Sequence, residues 1–293
     1  MWIIFACGSA LFAGVTAVLA KEGIRTTDST VATALRTFVV LAGAWGVVFI
    51  VGSQAELGHI DVRSTVLLLL SGLATGASWL CYFKALQLGD VSKVVPIDKL
   101  STVMTVVMAL LLLGESVSVI GVLGIGLITV GTYAMLDADD VRQFPRAVRA
   151  GGSWLLYALG SAFFAALTAI LGKAGITGVE SNLGTAIRTA VVLVMAWVMV
   201  AVTGKLHEVR SVPRGELGYV LASGAATCAS WLCYYRALQD GPASVVVPID
   251  KLSILVTVVF SIVVLRESVT KRYLSGLALL VVGTLAMLIF SPN

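Results

Sequence analysis

The sequence predicts an all-α integral membrane protein of ten transmembrane helices, arranged as two inverted five-helix repeats. Three observations carry this. Hydrophobic residues make up 58% of the chain and charged residues 12%, with mean hydropathy +1.00, whereas soluble domains carry about 25% charged residues. Apolar runs of about 20 residues recur along the chain, the length that ~30 Å of hydrocarbon requires at 1.5 Å per residue. Finally, the chain repeats itself: V-V-P-I-D-K-L-S occurs at Val94–Ser101 and again at Val246–Ser253. With an offset of 152, residues 1–141 align with 153–293 without a gap, and about 65 of roughly 141 pairs are identical. Five spans per repeat is an odd number. The second unit must therefore enter the bilayer from the opposite side, about an axis in the membrane plane.

In order, the first repeat (1–141) gives spans at about 2–20, 30–52, 65–87, 94–114 and 118–136. The second (153–293) gives about 153–172, 182–204, 217–239, 246–266 and 271–290. Between them, 142–152 reads as a linker loop, its neighbourhood polar and carrying Pro145 and a Gly pair. T-A-V-L-A before Lys21 has the look of a signal-peptide cleavage site. No basic region precedes it, however, and T-A-I-L-G before Lys173 repeats the pattern in mid-chain, so the segment reads as span one.

Basic residues not matched between repeats fall on the loops after odd-numbered spans, from Arg25 and Lys93 through Arg142, Arg146 and Arg149 to Lys271 and Arg272; the other face keeps only Arg63. The positive-inside rule then places the odd-span loops in the cytoplasm and both termini outside. The cysteines Cys7, Cys81, Cys228 and Cys233 lie in apolar runs without metal-ligand spacing, so neither a disulfide framework nor a metal site follows. There is no Walker A sequence, dinucleotide-binding turn, H-E-x-x-H or nucleophile elbow. Those absences argue against a nucleotide-driven pump or an enzyme, and no cofactor is expected.

The informative residues are the polar ones inside the spans, where a charge at mid-membrane costs ~2.5–3.5 kcal/mol. On span three, Ser71, Thr75, Ser78 and Tyr82 share one helix face, and the second repeat keeps Ser223, Thr227, Ser230 and Tyr234. On span four, Asp98, Ser101 and Thr105 form a similar stripe, matched by Asp250, Ser253 and Thr257. These hydroxyls either bond back to their own helices and glue neighbours together or line a cavity walled by Trp79 and Trp231. Arg36 lies about 10 Å into span two and Asp98 about 6–9 Å into span four from the same face. An Arg36–Asp98 ion pair is therefore expected there, with Arg188–Asp250 as its twin near the other face. The pairs are either gates or architecture. Lys99 and Lys251 lie about 100° round the helix from the Asp residues. Pro96 and Pro248 mark a first turn or a kink of span four. Lys21 and Lys173 complete a net positive buried set together with Lys84 and Arg236, while Glu115 and Glu267 are expected to cap the helices that follow them.

The chain resembles the drug/metabolite transporter superfamily, built from two EamA-type domains. The features that carry the resemblance are A-L-Q-x-G after span three (Ala85–Gly89, Ala237–Gly241), the turns at Glu115 and Glu267, and fifth spans ending G-T-x-A-M (Gly131–Met135, Gly283–Met287). S-W-L-C-Y with P-I-D-K-L-S is more similar to short bacterial members with one five-span domain, which makes this chain look like a tandem fusion of two. The resemblance implies a multi-pass protein of the bacterial cytoplasmic membrane. Termini in that superfamily are usually drawn cytoplasmic, against the loop charges here.

The expected function is secondary transport of a small polar metabolite, anionic or zwitterionic, by alternating access. One alternative is export of amphipathic cations, in which the Trp and Asp residues dominate. Another, of a different class, is a lipid-handling or structural membrane protein with no soluble substrate. The expected partners are a small-molecule substrate, the lipid bilayer and a candidate coupling proton, with no nucleic acid, in a monomer or weak homodimer.

Overall fold

A computed structural model describes residues 1–88, 91–135, 153–263 and 270–290. Among them the chain forms eleven α-helices: α1 (Trp2–Gly23), α2 (Ser29–Val51), α3 (Val62–Leu88), α4 (Val91–Leu112), α5 (Val119–Ala134), α6 (Ser153–Gly175), α7 (Ser181–Val202), α8 (Arg214–Asp240), α9 (Ala243–Lys251), α10 (Ser253–Val263) and α11 (Lys271–Ile289). Short 3-10 helices at Ser53–His59 and Lys205–Ser211 follow α2 and α7. Among the described residues, seven helical segments are long and apolar enough to cross a membrane. The shorter apolar segments Leu100–Leu112 and Val119–Ala134 and the more polar 27-residue α8 fill the remaining places.

The repeats start their helices with the same chemistry. Asp28 caps α2 by accepting from the Thr30 and Val31 amides at 2.8 and 3.3 Å, and its repeat-mate Glu180 caps α7 through Asn182 and Leu183, both at 3.0 Å. Ser118 caps α5 through Gly121 at 3.1 Å, and Thr270 caps α11 through Tyr273 at 3.2 Å. Each satisfies amides that a helix start leaves without intrahelical partners. This corrects the expectation for Glu115: Ser118, not Glu115, caps the helix that follows.

Helix contacts are exchanged between repeats. A Cβ added to Gly8 of α1 would meet Cys233 of α8, and one on Gly160 of α6 would meet Cys81 of α3; Gly23 meets Val220 as Gly175 meets Leu68. The sense of the exchange is fixed where α5 crosses α11. A Cβ on Gly124 would lie 2.7 Å from the Gly283 carbonyl oxygen, and one on Gly131 2.6 Å from that of Gly276. Residue number rises along one helix as it falls along the other, so these repeat-equivalent helices run antiparallel. Two equivalent helices pack antiparallel only about an axis perpendicular to them. The repeats are inverted, and only glycine permits backbones this close. The buried surfaces of α2 and α7 meet in the same sense, Val31 and Ala34 with Ala196 and Val200 at one end, Val40, Ala44 and Val48 with Leu183 and Ala186 at the other. The interior is small and hydroxylic, while Phe49, Leu111, Val119, Leu123 and Val194 are among the large apolar side chains left outside, as hydrocarbon solvent favours.

One departure from symmetry matters for the site. Span four of the first repeat is the continuous α4, but in the second repeat it divides at Leu252 into α9 and α10. Pro248 lies inside α9, where its missing N–H removes a ladder bond. The break follows four residues later, with the Leu252 and Leu255 amides bonding three residues back, to Ile249 and Leu252, at 2.9 and 2.8 Å. Pro248 is thus neither at a first turn nor at a simple kink, but just ahead of a discontinuity beside Asp250 and Lys251.

Candidate functional site

Among the described residues Arg188 is the largest fully buried side chain, 2% exposed. Its Nε donates to Ser71 Oγ at 3.3 Å and its Nη2 to Thr75 Oγ1 at 2.7 Å, both on α3 of the other repeat. The guanidinium carbon lies 5.1 Å from the ring centre of Trp231 and 4.6 Å from that of Tyr235, within cation–π range. A guanidinium carries five N–H donors. Two are used here, and no carboxylate stands within ion-pair distance among the described residues. The expected Arg188–Asp250 ion pair is therefore not formed. Both side chains instead line one cavity of about 240 Å³, with Ser9, Ser230, Trp231, Tyr234 and Tyr235; Ala13, Thr75, Thr168 and Trp79 line it as well.

Asp250 is held by a different group. Its Oδ1 accepts from Ser9 Oγ of α1 at 2.6 Å, and Ser230 Oγ donates to the Ser9 carbonyl at 3.1 Å. The arrangement recurs in the other half: Ser161 Oγ of α6 donates to Asp98 Oδ1 at 3.0 Å, and Ser78 Oγ donates to the Ser161 carbonyl at 3.0 Å. In each half, an aspartate of span four reaches the hydroxyl stripe of span three through a serine of the opposite repeat.

Arg36 does not copy Arg188. It is partly buried between α1, α2 and α8, near Ser29, Thr33, Val220 and Ser223, with no hydrogen bond or ion pair to a described residue. The expected Arg36–Asp98 ion pair is absent. Chemistry around the two arginines differs: Tyr235 aligns with Phe83, and Gly172 with Ala20. A Cβ on Gly172 would stand 2.6 Å from Tyr235 Cε1, so the glycine makes room for the ring that covers Arg188. Gly172 leaves room for the Tyr235 ring over Arg188, whereas Ala20 stands near Arg36 at the equivalent place.

Other predicted residues are scattered. Tyr82 packs with Ala85, Val94, Ile97 and Ala158 rather than on the Arg188 cavity. Thr227 bonds back to the Ser223 carbonyl at 2.7 Å and reaches Thr16 at 3.3 Å; Ser101 accepts at its carbonyl from Thr105. Lys251 and Ser253 line a second cavity of about 380 Å³. The net positive buried set is not assembled: Lys21 and Lys84 are exposed, and Arg236 pairs along its own helix with Asp240 at 3.3 Å. Glu267 and the side chain of Lys99 lie outside the described residues. Sequence reasoning missed Ser9, Ser161, Thr168 and Tyr235. The first two were legible, since G-S-A occurs at both Gly8–Ala10 and Gly160–Ala162; Tyr235 breaks the repeat and gave no such signal.

Glu115 and Lys173 form a third cluster, on the face where α1 begins and α11 ends (the terminal face). Glu115 Oε1 accepts from the Ala243 amide at 2.7 Å and Oε2 from that of Ser244 at 2.9 Å, so it caps α9 of the other repeat. Lys173 Nζ stands 3.7 Å from Glu115 and donates to the carbonyls of Leu238, at 3.0 Å, and Gly241. The end of α4, the end of α6, the end of α8 and the start of α9 are thereby tied together.

Known proteins agree with this architecture. The model of the EamA-like transporter family matches residues 1–136 and again 152–289. An uncharacterized transporter in the cobO 3' region of Sinorhizobium sp. is 45% identical over 134 residues, 46% of this chain but 95% of its own length, so that relative is about one repeat long. An uncharacterized protein of Methanocaldococcus jannaschii is 32% identical over 71 residues, 24% of this chain and 52% of its own. A solved crystal structure aligns with a TM-score of 0.74 over 97% of this chain and 96% of its own at 17% identity, a likeness of fold. With two family matches, an all-helical multi-pass architecture and a half-length transporter relative, the chain belongs to the EamA-like transporter family.

Proposed function

We propose that this transporter moves a small anionic or zwitterionic metabolite by alternating access, acting as a secondary transporter rather than an enzyme. The observation that carries the reading is the Arg188 cavity. A desolvated guanidinium with unspent donors and the carboxylate of Asp250 line one space between the repeats, where transporters of inverted-repeat design bind substrate. A carboxylate or phosphate satisfies the remaining Arg188 donors; an ammonium on the same molecule finds Asp250 and the rings of Trp79, Trp231 and Tyr234. The unequal states of Arg188 and Arg36, which the repeat makes equivalent, support alternation. One guanidinium is fully buried and bonded, the other is partly buried and bonds no described residue, and exchanging their roles would expose the cavity to the other side.

Four aromatic rings beside an aspartate also favour a second reading, export of an amphipathic cation. Proteoliposome flux decides between them. Anionic and zwitterionic metabolites, screened by class with and without a proton gradient, should move faster than in protein-free vesicles, and Arg188→Met should abolish the gain. Transport confined to cations, lost with Asp250→Asn and kept with Arg188→Met, would establish the second reading.

A further inference from the structure

Asp250 and Lys251 are adjacent in sequence but face different cavities. Successive helical residues are turned by about 100°, and the break at Leu252 follows directly. Asp250 lines the Arg188 cavity, whereas Lys251 lines the larger one of about 380 Å³ with Thr102, Thr132, Ser253, Thr257 and Tyr273. Ala13 of α1 lines both, so the two spaces are neighbours across one small side chain. Tyr273, near the start of α11, and Met135, just past the end of α5, place the larger cavity toward the face opposite the terminal one.

The polar groups of this cavity are biased in one direction. Thr132 and Thr257 donate to their own helices, at the Ile128 and Ser253 carbonyls. Lys251 Nζ and the hydroxyls of Thr102, Ser253 and Tyr273 donate to no described residue, and Lys251 is the one charge among the described lining residues. A cation and three uncommitted hydroxyl donors, with no carboxylate among them, suit an oxyanion. Lys251 is exposed rather than buried, so its ammonium faces the open cavity; a cation along a membrane span is tolerated where it faces water or a counter-charge.

We infer that the Lys251 cavity is a second anion-binding station, taking a phosphate or carboxylate group between the opposite face and the Arg188 cavity. Its place on a path rests on the transport reading; anion binding at Lys251 does not. Phosphate chemistry is shared by soluble metabolites and lipid headgroups.

Equilibrium binding of radiolabelled inorganic phosphate to the full chain, with acetate as competitor, tests the station. On an Arg188→Met background, which removes the anion site of the transport reading, saturable phosphate binding should remain; adding Lys251→Gln should weaken it by at least about tenfold, and adding Lys251→Arg instead should keep most of it. Ser253→Ala combined with Tyr273→Phe, which keeps the lysine, should weaken it severalfold and serves if Lys251→Gln does not fold. Binding equal in nanodiscs of phosphatidylcholine and of phosphatidylglycerol identifies a soluble anion as the occupant; binding suppressed only by phosphatidylglycerol identifies a headgroup at the same station. On that Arg188→Met background, no saturable phosphate binding, or binding that survives Lys251→Gln, overturns the inference. Loss with Arg188→Met alone also overturns it while leaving the transport reading intact, and loss with Lys251→Gln in a protein that moves no solute does the reverse.

Discussion

Glu115 and Lys173 stand 3.7 Å apart, and the side chains are only 10% and 20% exposed. They belong to different repeats, and the carboxylate simultaneously caps α9. A single side chain therefore satisfies two helix-start amides and a lysine at the terminal face.

Removing that carboxylate should loosen the face. Glu115→Ala deletes two amide acceptors and leaves Lys173 without its counter-charge, at a cost of about 2 kcal/mol. Glu115→Gln, which retains one acceptor oxygen, should lose roughly half as much. Equilibrium unfolding in mixed micelles measures both; an Ala variant as stable as the parent would mean that water replaces the cap.

Arg188 should behave as a residue kept for function at the expense of stability. Two hydroxyl bonds and two ring faces do not repay the desolvation of a guanidinium, so Arg188→Met should leave stability unchanged or raise it by about 1–4 kcal/mol while transport is lost. Arg188→Lys should also fail in transport, because an ammonium cannot reproduce the planar fork held by Ser71 and Thr75. A strongly destabilised Met variant would make Arg188 architectural.

The glycine crossing of α5 and α11 should tolerate no side chain. Gly131→Val places a Cβ 2.6 Å from the Gly276 carbonyl and 2.7 Å from the Leu280 amide, both backbone atoms that cannot give way. A loss of about 1–3 kcal/mol or more is expected. Gly46→Ala, in α2 with nothing within 4 Å of its Cβ, should be neutral or stabilise by about 0.5–1 kcal/mol. Similar losses for both would show that the crossing does not limit packing.

Acid should release the loop seam at Asp28. Burial pushes its carboxyl up, but the Lys205 ammonium and the Thr30 and Val31 amides outweigh it, and the pKa is lowered below its ordinary 3.8. A carboxylate depressed in the folded state contributes stability that is complete above its unfolded pKa and is lost as pH falls through the folded one. The seam should therefore hold through the ordinary carboxylate range and open only below it. Asp28→Asn should remove that acid-dependent step, as read by hydrogen exchange of the start of α2.

Orientation is the remaining expectation from loop charge. A topology reporter fused after Asn293 should report the extracytoplasmic side; a cytoplasmic signal would show that the mature loops follow the superfamily habit instead.

Helix number, order and inversion were determined by the sequence itself. Hydrocarbon demands about 20 apolar residues per span, the 152-residue offset matches the repeats, and an odd span count forces the second unit to enter from the other side. Partner choice was not legible. Inverted repeats interlock, so most polar contacts cross between them: Glu115 caps a helix 128 residues away, and Asp250 binds Ser9 across 241 residues. Depth along a span brought Arg188 and Asp250 to one cavity, but hydroxyls of the opposite repeat, Ser71 and Thr75 for the one and Ser9 for the other, took the bonds expected between them. The asymmetry between Arg188 and Arg36 is likewise tertiary. Repeats identical at about 65 of roughly 141 pairs do not say which arginine is packed; Tyr235 and the room that Gly172 leaves for its ring decided it by steric fit.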